Sequence, residues 1–204
     1  MYLLALVLAL VMTAAARAET KILTFGDSLT AGYGLPKNES FPAMLQAALR
    51  ARGIAATVID GGVSGDTTAG GRARLDWSLA ANPDFVIVEL GANDALRGLD
   101  PAATEANLDA ILTRLKQRGL PVLLAGMLAP PNLGEDYGKR FNALYPRLAD
   151  RHKVALYPFF LDGVAMQAAL NQGDGLHPNA RGVAAIVDRI TPYVMRLVQG
   201  ERRG

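Results

Sequence analysis

The chain has 204 residues, 21 Lys+Arg against 19 Asp+Glu, and a formal net charge of +2. Half of its residues are apolar and a fifth are charged, which excludes a disordered or collagen-like polymer and suits one globular domain. With no cysteine and two histidines, His152 and His177, thiol nucleophiles, disulfides, zinc–thiolate sites and iron–sulfur clusters are excluded, and the near-balanced charge shows no basic stripe for nucleic acid.

The first element is an address. Leu3 to Met12 reads LLALVLALVM, and Ala16-Arg17-Ala18 fits a small-residue cleavage site before Glu19. This pattern predicts a secretory signal peptide over residues 1–18, too short for a membrane span of ~20 residues. No Lys or Arg precedes the apolar run, so an uncleaved anchor is the competing reading. The domain then covers residues 19–204. It is expected to work in the periplasm of a Gram-negative bacterium, or secreted, with no stable membrane span after cleavage.

From Lys21 onward, strand-like and helix-like segments alternate. Ile22–Phe25 reads as a strand, Phe41–Arg52 as a helix stopped by Gly53, and Thr57–Ile59 as a second strand. Arg72–Ala81 reads as a helix ending before Asn82-Pro83, and Phe85–Leu90 as a buried, β-branched strand. Ala102–Arg118 is an amphipathic helix with Asp100 as its cap and Pro101 in its first turn. Pro121–Leu124 is a fourth strand, and Tyr137–His152 a helix that Pro146 interrupts or kinks. Val154–Tyr157 is a fifth strand, and Asn179–Val198 a last helix that Pro192 is expected to bend. Alternation with fully apolar strands predicts a single-domain α/β fold, with a mostly parallel five-stranded sheet covered on both faces. Ligands of such sheets bind beyond the carboxyl ends of the strands.

Four polar clusters fall where that rule points. Gly26-Asp27-Ser28-Leu29-Thr30 follows the first strand, Gly61-Gly62-Val63-Ser64-Gly65-Asp66-Thr67 the second and Gly91-Ala92-Asn93-Asp94 the third. Asp174-Gly175-Leu176-His177-Pro178 precedes the last helix. In order and spacing these clusters resemble the blocks of the SGNH (GDSL) hydrolases, and the likeness runs over residues 21–198. Val88-Glu89-Leu90-Gly91 and Leu96-Arg97-Gly98 are similar to the small periplasmic subgroup of thioesterases, lysophospholipases and arylesterases. The resemblance implies a flavodoxin-like three-layer α/β/α sandwich. It also implies Ser28, Asp174 and His177 as catalytic residues, and Ser28, Gly65 and Asn93 as the oxyanion hole.

The residues carry that chemistry without the family name. A serine hydroxyl needs a base to take its proton, and imidazole titrates near neutrality. A carboxylate then fixes the imidazole tautomer and balances its charge. Asp174 stands three residues before His177, but Asp27, Asp66, Asp94 and Asp162 are rivals for that role. Pro178 biases His177 toward an extended backbone. An oxyanion needs preorganised donors: the Gly65 amide, unshielded by a Cβ, the Asn93 carboxamide and the Ser28 N–H are candidates. The bland readings are that Ser28 caps a helix, Gly65 is a turn glycine and Asn93 an Asx-turn residue. His152 reads as a histidine at a charged helix end.

Other chemistries lack their motifs. There is no G-x-S-x-G elbow, no complete P-loop, no G-x-G-x-x-G after a strand and no H-E-x-x-H. An aspartate-based phosphatase leaves Ser28, Asn93 and His177 unused. The expected function is a serine esterase acting on small acyl esters, thioesters or lysophospholipids through an acyl-enzyme, with no metal or organic cofactor. Carbohydrate O-deacetylation and a non-catalytic periplasmic lipid carrier are the alternatives. Leu29, Leu35, Met127 and Leu128 are expected to line an acyl groove, beside a Pro- and Gly-rich loop over residues 128–134. The sequence offers no handle on oligomeric state.

Overall fold

A computed structural model describes residues 19–200. The expected signal peptide lies outside the described residues. Five strands are present: β1 (Thr20–Gly26), β2 (Ala56–Gly62), β3 (Phe85–Glu89), β4 (Val122–Ala125) and β5 (Ala155–Tyr157). The α-helices are α1 (Ser28–Ala31), α2 (Phe41–Ala51), α3 (Thr68–Ser78), α4 (Ala92–Leu96), α5 (Pro101–Gln117), α6 (Glu135–Asn142), α7 (Leu144–His152) and α8 (Ala180–Gln199).

All strands pair in parallel, in the order β2-β1-β3-β4-β5. A parallel strand must be reached by a crossover, and right-handed crossovers put helices on both faces. Here α2 packs with α8 in one outer layer, and α3, α5 and α7 pack in the other. The core follows from that sandwich. Ile22, Phe25, Val86, Ile87, Val88, Leu123 and Leu124 in the sheet are fully buried, as are Leu45, Leu108, Leu148 and Ile190 on the helices. The strand order reverses direction between β1 and β3, which makes the crevice at their carboxyl ends the topological switch point of the sheet.

Two helices depart from the sequence reading for physical reasons. The expected 137–152 helix is two, α6 and α7, separated at Ala143. A proline ring clashes with the carbonyl four residues back, and Pro146 puts that clash at Asn142, where α6 ends. The helix expected from Arg72 begins at Thr68, with Thr67 Oγ1 accepting from Gly70 N–H at 3.3 Å. Gly70 and Gly71 hid that start, because glycine lowers helix propensity. Gly71 is there for packing: a Cβ on it would collide with Leu90. The last helix continues through Pro192 to Gln199. Thr191 Oγ1 donates to Val187 O at 2.6 Å beside it.

Candidate active site

The loops after β1, β2 and β3 meet at the carboxyl edge of the sheet. Ser28 opens α1 directly after β1, and Asp27 caps that helix by accepting from Leu29 N–H at 3.0 Å. Ser28 is 8% exposed. His177 Nε2 lies 2.9 Å from Ser28 Oγ, and His177 Nδ1 lies 2.6 Å from Asp174 Oδ2. The arrangement lets Ser28 donate to Nε2 while Nδ1–H donates to the carboxylate. Asp174 Oδ1 also accepts from the backbone N–H groups of Leu176 (2.9 Å) and His177 (3.0 Å). Those amides and the imidazole hold the Asp174 carboxyl at about 2, below its ordinary range.

None of the four rival aspartates makes a hydrogen bond to His177. Asp66 pairs with Arg74 at 2.5 Å, and Asp162 lies 3.5 Å from Arg189. Asp94 accepts from Thr68 N–H, Thr68 Oγ1 and Thr104 Oγ1, and so ties α3, α4 and α5 together. Asp27 accepts from Asn93 Nδ2 at 3.0 Å. An amide nitrogen carries two hydrogens, so this bond orients the Asn93 carboxamide and leaves one donor for a ligand.

Gly65 sits in a tight turn in which Asp66 N–H donates to Val63 O at 3.1 Å. Its φ of +84° is open to glycine and disfavoured for other residues. Arg97 Nη2 donates to Gly65 O at 2.8 Å, and Arg74 Nη2 donates to Gly26 O at 2.8 Å. Together with the Arg74–Asp66 pair, these bonds pin the glycine turn to the nucleophile turn and to α4. Among the described residues, neither Ser28 N–H nor Gly65 N–H donates to a protein acceptor.

One group was missed in the sequence reading. Glu89 ends β3 with no exposed surface, beneath the nucleophile turn. Its Oε2 accepts from Thr30 Oγ1 at 2.7 Å, and its Oε1 has no partner. Burial, and after it the nearby Asp27, push its carboxyl well above the ordinary carboxylate range. Burial likewise raises Asp27, to about 6, against the lowering effect of the Leu29 N–H and Asn93 bonds. The available signal was an acid closing an otherwise apolar strand, Phe-Val-Ile-Val-Glu.

The apolar surroundings correct one expectation. Leu29 and Met127 are buried in the core, and Leu35 packs half-buried against it. Leu128 is exposed, as are Tyr33, Val63 and Leu176 in the loops that carry the site. The Tyr33 ring lies 4.6 Å from the His177 ring. A groove of about 1060 Å³, lined by Phe85, Leu120, Val154, Tyr193 and Val198 among others, opens at the amino ends of β3–β5, the opposite edge of the sheet. Among the described residues there is no cluster of metal-ligating side chains.

Residues 24–185 match the GDSL-like lipase/acylhydrolase family. The chain belongs to that family. It is an enzyme of the hydrolase class. It is 44% identical over 195 residues to an arylesterase of Vibrio mimicus, covering 95% of this chain and 98% of that protein. It is 38% identical over 194 residues to the thioesterase 1/protease 1/lysophospholipase L1 of Escherichia coli K12, covering 95% and 91%. Among solved structures it is similar to AlinE4, an SGNH-hydrolase family esterase, with 50% identity, a TM-score of 0.75 and coverage of 87% of this chain and 96% of that one. The chain has the five-stranded parallel α/β sandwich of the SGNH hydrolases.

Proposed function

We propose that this enzyme is a serine esterase that hydrolyses carboxylic esters and acyl thioesters through an acyl-enzyme. The observation that carries the reading is the hydrogen-bonded line Asp174–His177–Ser28 at the switch point of the sheet. Ser28 Oγ attacks the acyl carbonyl while His177 Nε2 takes its proton. The imidazolium so formed faces the Asp174 carboxylate, which is ionised at every pH above about 2. Negative charge developing on the carbonyl oxygen meets Ser28 N–H, Gly65 N–H and the free Asn93 hydrogen, three donors held in place before substrate arrives. His177 returns its proton to the leaving alcohol. A thiolate leaves more readily and depends on that proton less. Water, deprotonated by the same histidine, then attacks the acyl-enzyme, and Ser28 recovers its proton as the acid departs.

Exposed Tyr33, Val63 and Leu176 stand in the loops carrying Ser28, Gly65 and His177, which favours an apolar acyl or aryl group in the substrate. The names of the arylesterase and thioesterase/lysophospholipase relatives point the same way. In this reading residues 1–18 are a signal peptide and the mature enzyme is periplasmic or secreted. No helix among the described residues is long and apolar enough to cross a membrane.

The test is fluorophosphonate labelling with the adduct located by peptide mass spectrometry, beside hydrolysis of p-nitrophenyl esters of increasing chain length. An adduct on Ser28 together with ester hydrolysis is the expected result. Folded protein that takes no adduct and cleaves no ester overturns the reading.

A further inference from the structure

The two halves of the candidate triad come from opposite ends of the chain: Ser28 and His177 are separated by 149 positions. Among the described residues, two side-chain hydrogen bonds join the nucleophile turn to the histidine loop. One is the Ser28–His177 contact itself. The other belongs to Gln172, whose Nε2 donates to Tyr33 O at 2.7 Å and to Pro178 O at 3.0 Å. Tyr33 lies just beyond α1, and Pro178 follows His177 directly. A single carboxamide thus uses its two hydrogens on carbonyls from either side of the Ser28–His177 bond.

The surroundings fit that task. Gln172 N–H donates to His177 O at 2.7 Å, and Gly175 N–H donates to Gln172 O at 3.0 Å, so the glutamine is fixed within the loop it holds. Gly34 has a φ of +75°, and a Cβ there would collide with Gln172 Oε1. The turn is therefore shaped around the carboxamide. The contact also secures the Tyr33 backbone, whose ring lies against the imidazole at 4.6 Å. An aromatic face stabilises a cation beside it, and His177 becomes one during acyl transfer.

We propose that Gln172 is a positioning residue for this reaction, setting the separation of His177 Nε2 from Ser28 Oγ and keeping the Tyr33 ring on the imidazole. The inference rests on the esterase reading above. Asp174 and His177 occupy one loop, and the Asp174 side chain is 39% exposed. Their mutual bond therefore moves with the loop and does nothing to fix its distance from Ser28. A general base works only within hydrogen-bond reach of the proton it takes, and a misplacement of about 1 Å costs on the order of 100-fold in rate. Gln172 supplies the missing constraint.

Two variants of the full chain test this. Gln172→Glu keeps the size and shape of the side chain and removes both donors; Gln172→Leu removes all its polarity. With p-nitrophenyl acetate as probe, each is expected to lower kcat by about 10- to 100-fold and leave KM within about twofold. Fluorophosphonate labelling of Ser28 should slow in parallel, with the melting temperature little changed. Gly34→Ala, which displaces the same carboxamide, should lower kcat too. Combined with Gln172→Leu it should add little, because the two changes remove one contact. A Gln172→Glu variant with wild-type kcat overturns the proposal. So does a kcat loss matched by a falling folded fraction, or independent effects of the two changes. A wild-type enzyme that takes no adduct at Ser28 overturns the esterase reading instead, and that outcome is distinct from a labelled wild type whose Gln172 variants run at full rate.

Discussion

Each of the two histidines holds an aspartate. His177 Nδ1 meets Asp174 at 2.6 Å, and His152 Nε2 meets Asp109 at 2.8 Å. The pairs stand at opposite edges of the sheet. His152 closes α7 just before the amino end of β5, with its side chain 8% exposed and Arg151 on the same carboxylate at 2.9 Å. No hydroxyl hydrogen-bonds its ring among the described residues. His177 stands at the carboxyl edge, with a serine on its second nitrogen. A histidine–carboxylate pair is therefore no mark of catalysis. The mark is what else the fold brings to the far side of the ring, and in a parallel sheet that convergence occurs where strands end.

The difference between the two pairs is largest at His177. Replacing it with alanine is expected to lower kcat/KM on p-nitrophenyl esters by about 10⁴-fold or more, and Ser28→Ala should do the same. A smaller effect is expected beneath the nucleophile. Asp27→Asn puts an amide where Asn93 needs an acceptor, and should lower kcat by roughly 10- to 100-fold through the misdirected oxyanion donor. The same change should raise stability. The folded carboxyl of Asp27 sits at about 6 against an ordinary 3.8. Its contribution to stability is therefore complete below 3.8 and is lost as pH rises through about 6. At pH 7.5 the ionised Asp27 bears the cost of its burial first and of the Asp66 charge after it, eased by the Leu29 N–H and Asn93 bonds and by His177, about 3 kcal/mol in all. Chemical unfolding of wild type and variant between pH 4 and 8 checks both the gain and the flatter profile.

Asp174 has the opposite sign. Its folded carboxyl lies at about 2, below the ordinary 3.8. Its stabilising contribution is therefore present above 3.8 and lost as pH falls through about 2. A carboxyl NMR titration should show Asp174 ionised at pH 4, while Asp27 titrates near 6. Acid inactivation between those values thus comes from groups other than Asp174. The smallest effect on rate belongs to His152→Ala. It should leave ester kinetics within about twofold and lower stability by about 1 kcal/mol, because the lost bond ties α7 to α5. A large rate loss in that variant would erase the distinction between the two pairs.

Helix boundaries show where local patterns mislead. Pro146 signals a disturbance, and the break falls earlier, at Ala143, because the ring acts on the Asn142 carbonyl one turn back. Gly70 and Gly71 reduced the helical signal of α3, although Gly71 serves close packing against Leu90. The same limit applies to the site. Leu29 and Met127 look like groove residues by position, but only the packed sandwich shows them in the core.

By itself the sequence determined the alternation of strand and helix, the absence of thiol chemistry and the four clusters from which Ser28, Gly65, Asn93, Asp174 and His177 were singled out. These signals are local: a period, a composition, a short motif. Only the packed structure shows which of five aspartates faces His177, that Asp27 turns the Asn93 carboxamide, that Glu89 lies buried beneath them and that Gln172 bridges two loops. Those are relations between residues that the chain separates widely and the sheet brings together. Their energies depend on burial and hydrogen-bond geometry, which arise only when the strands are packed side by side.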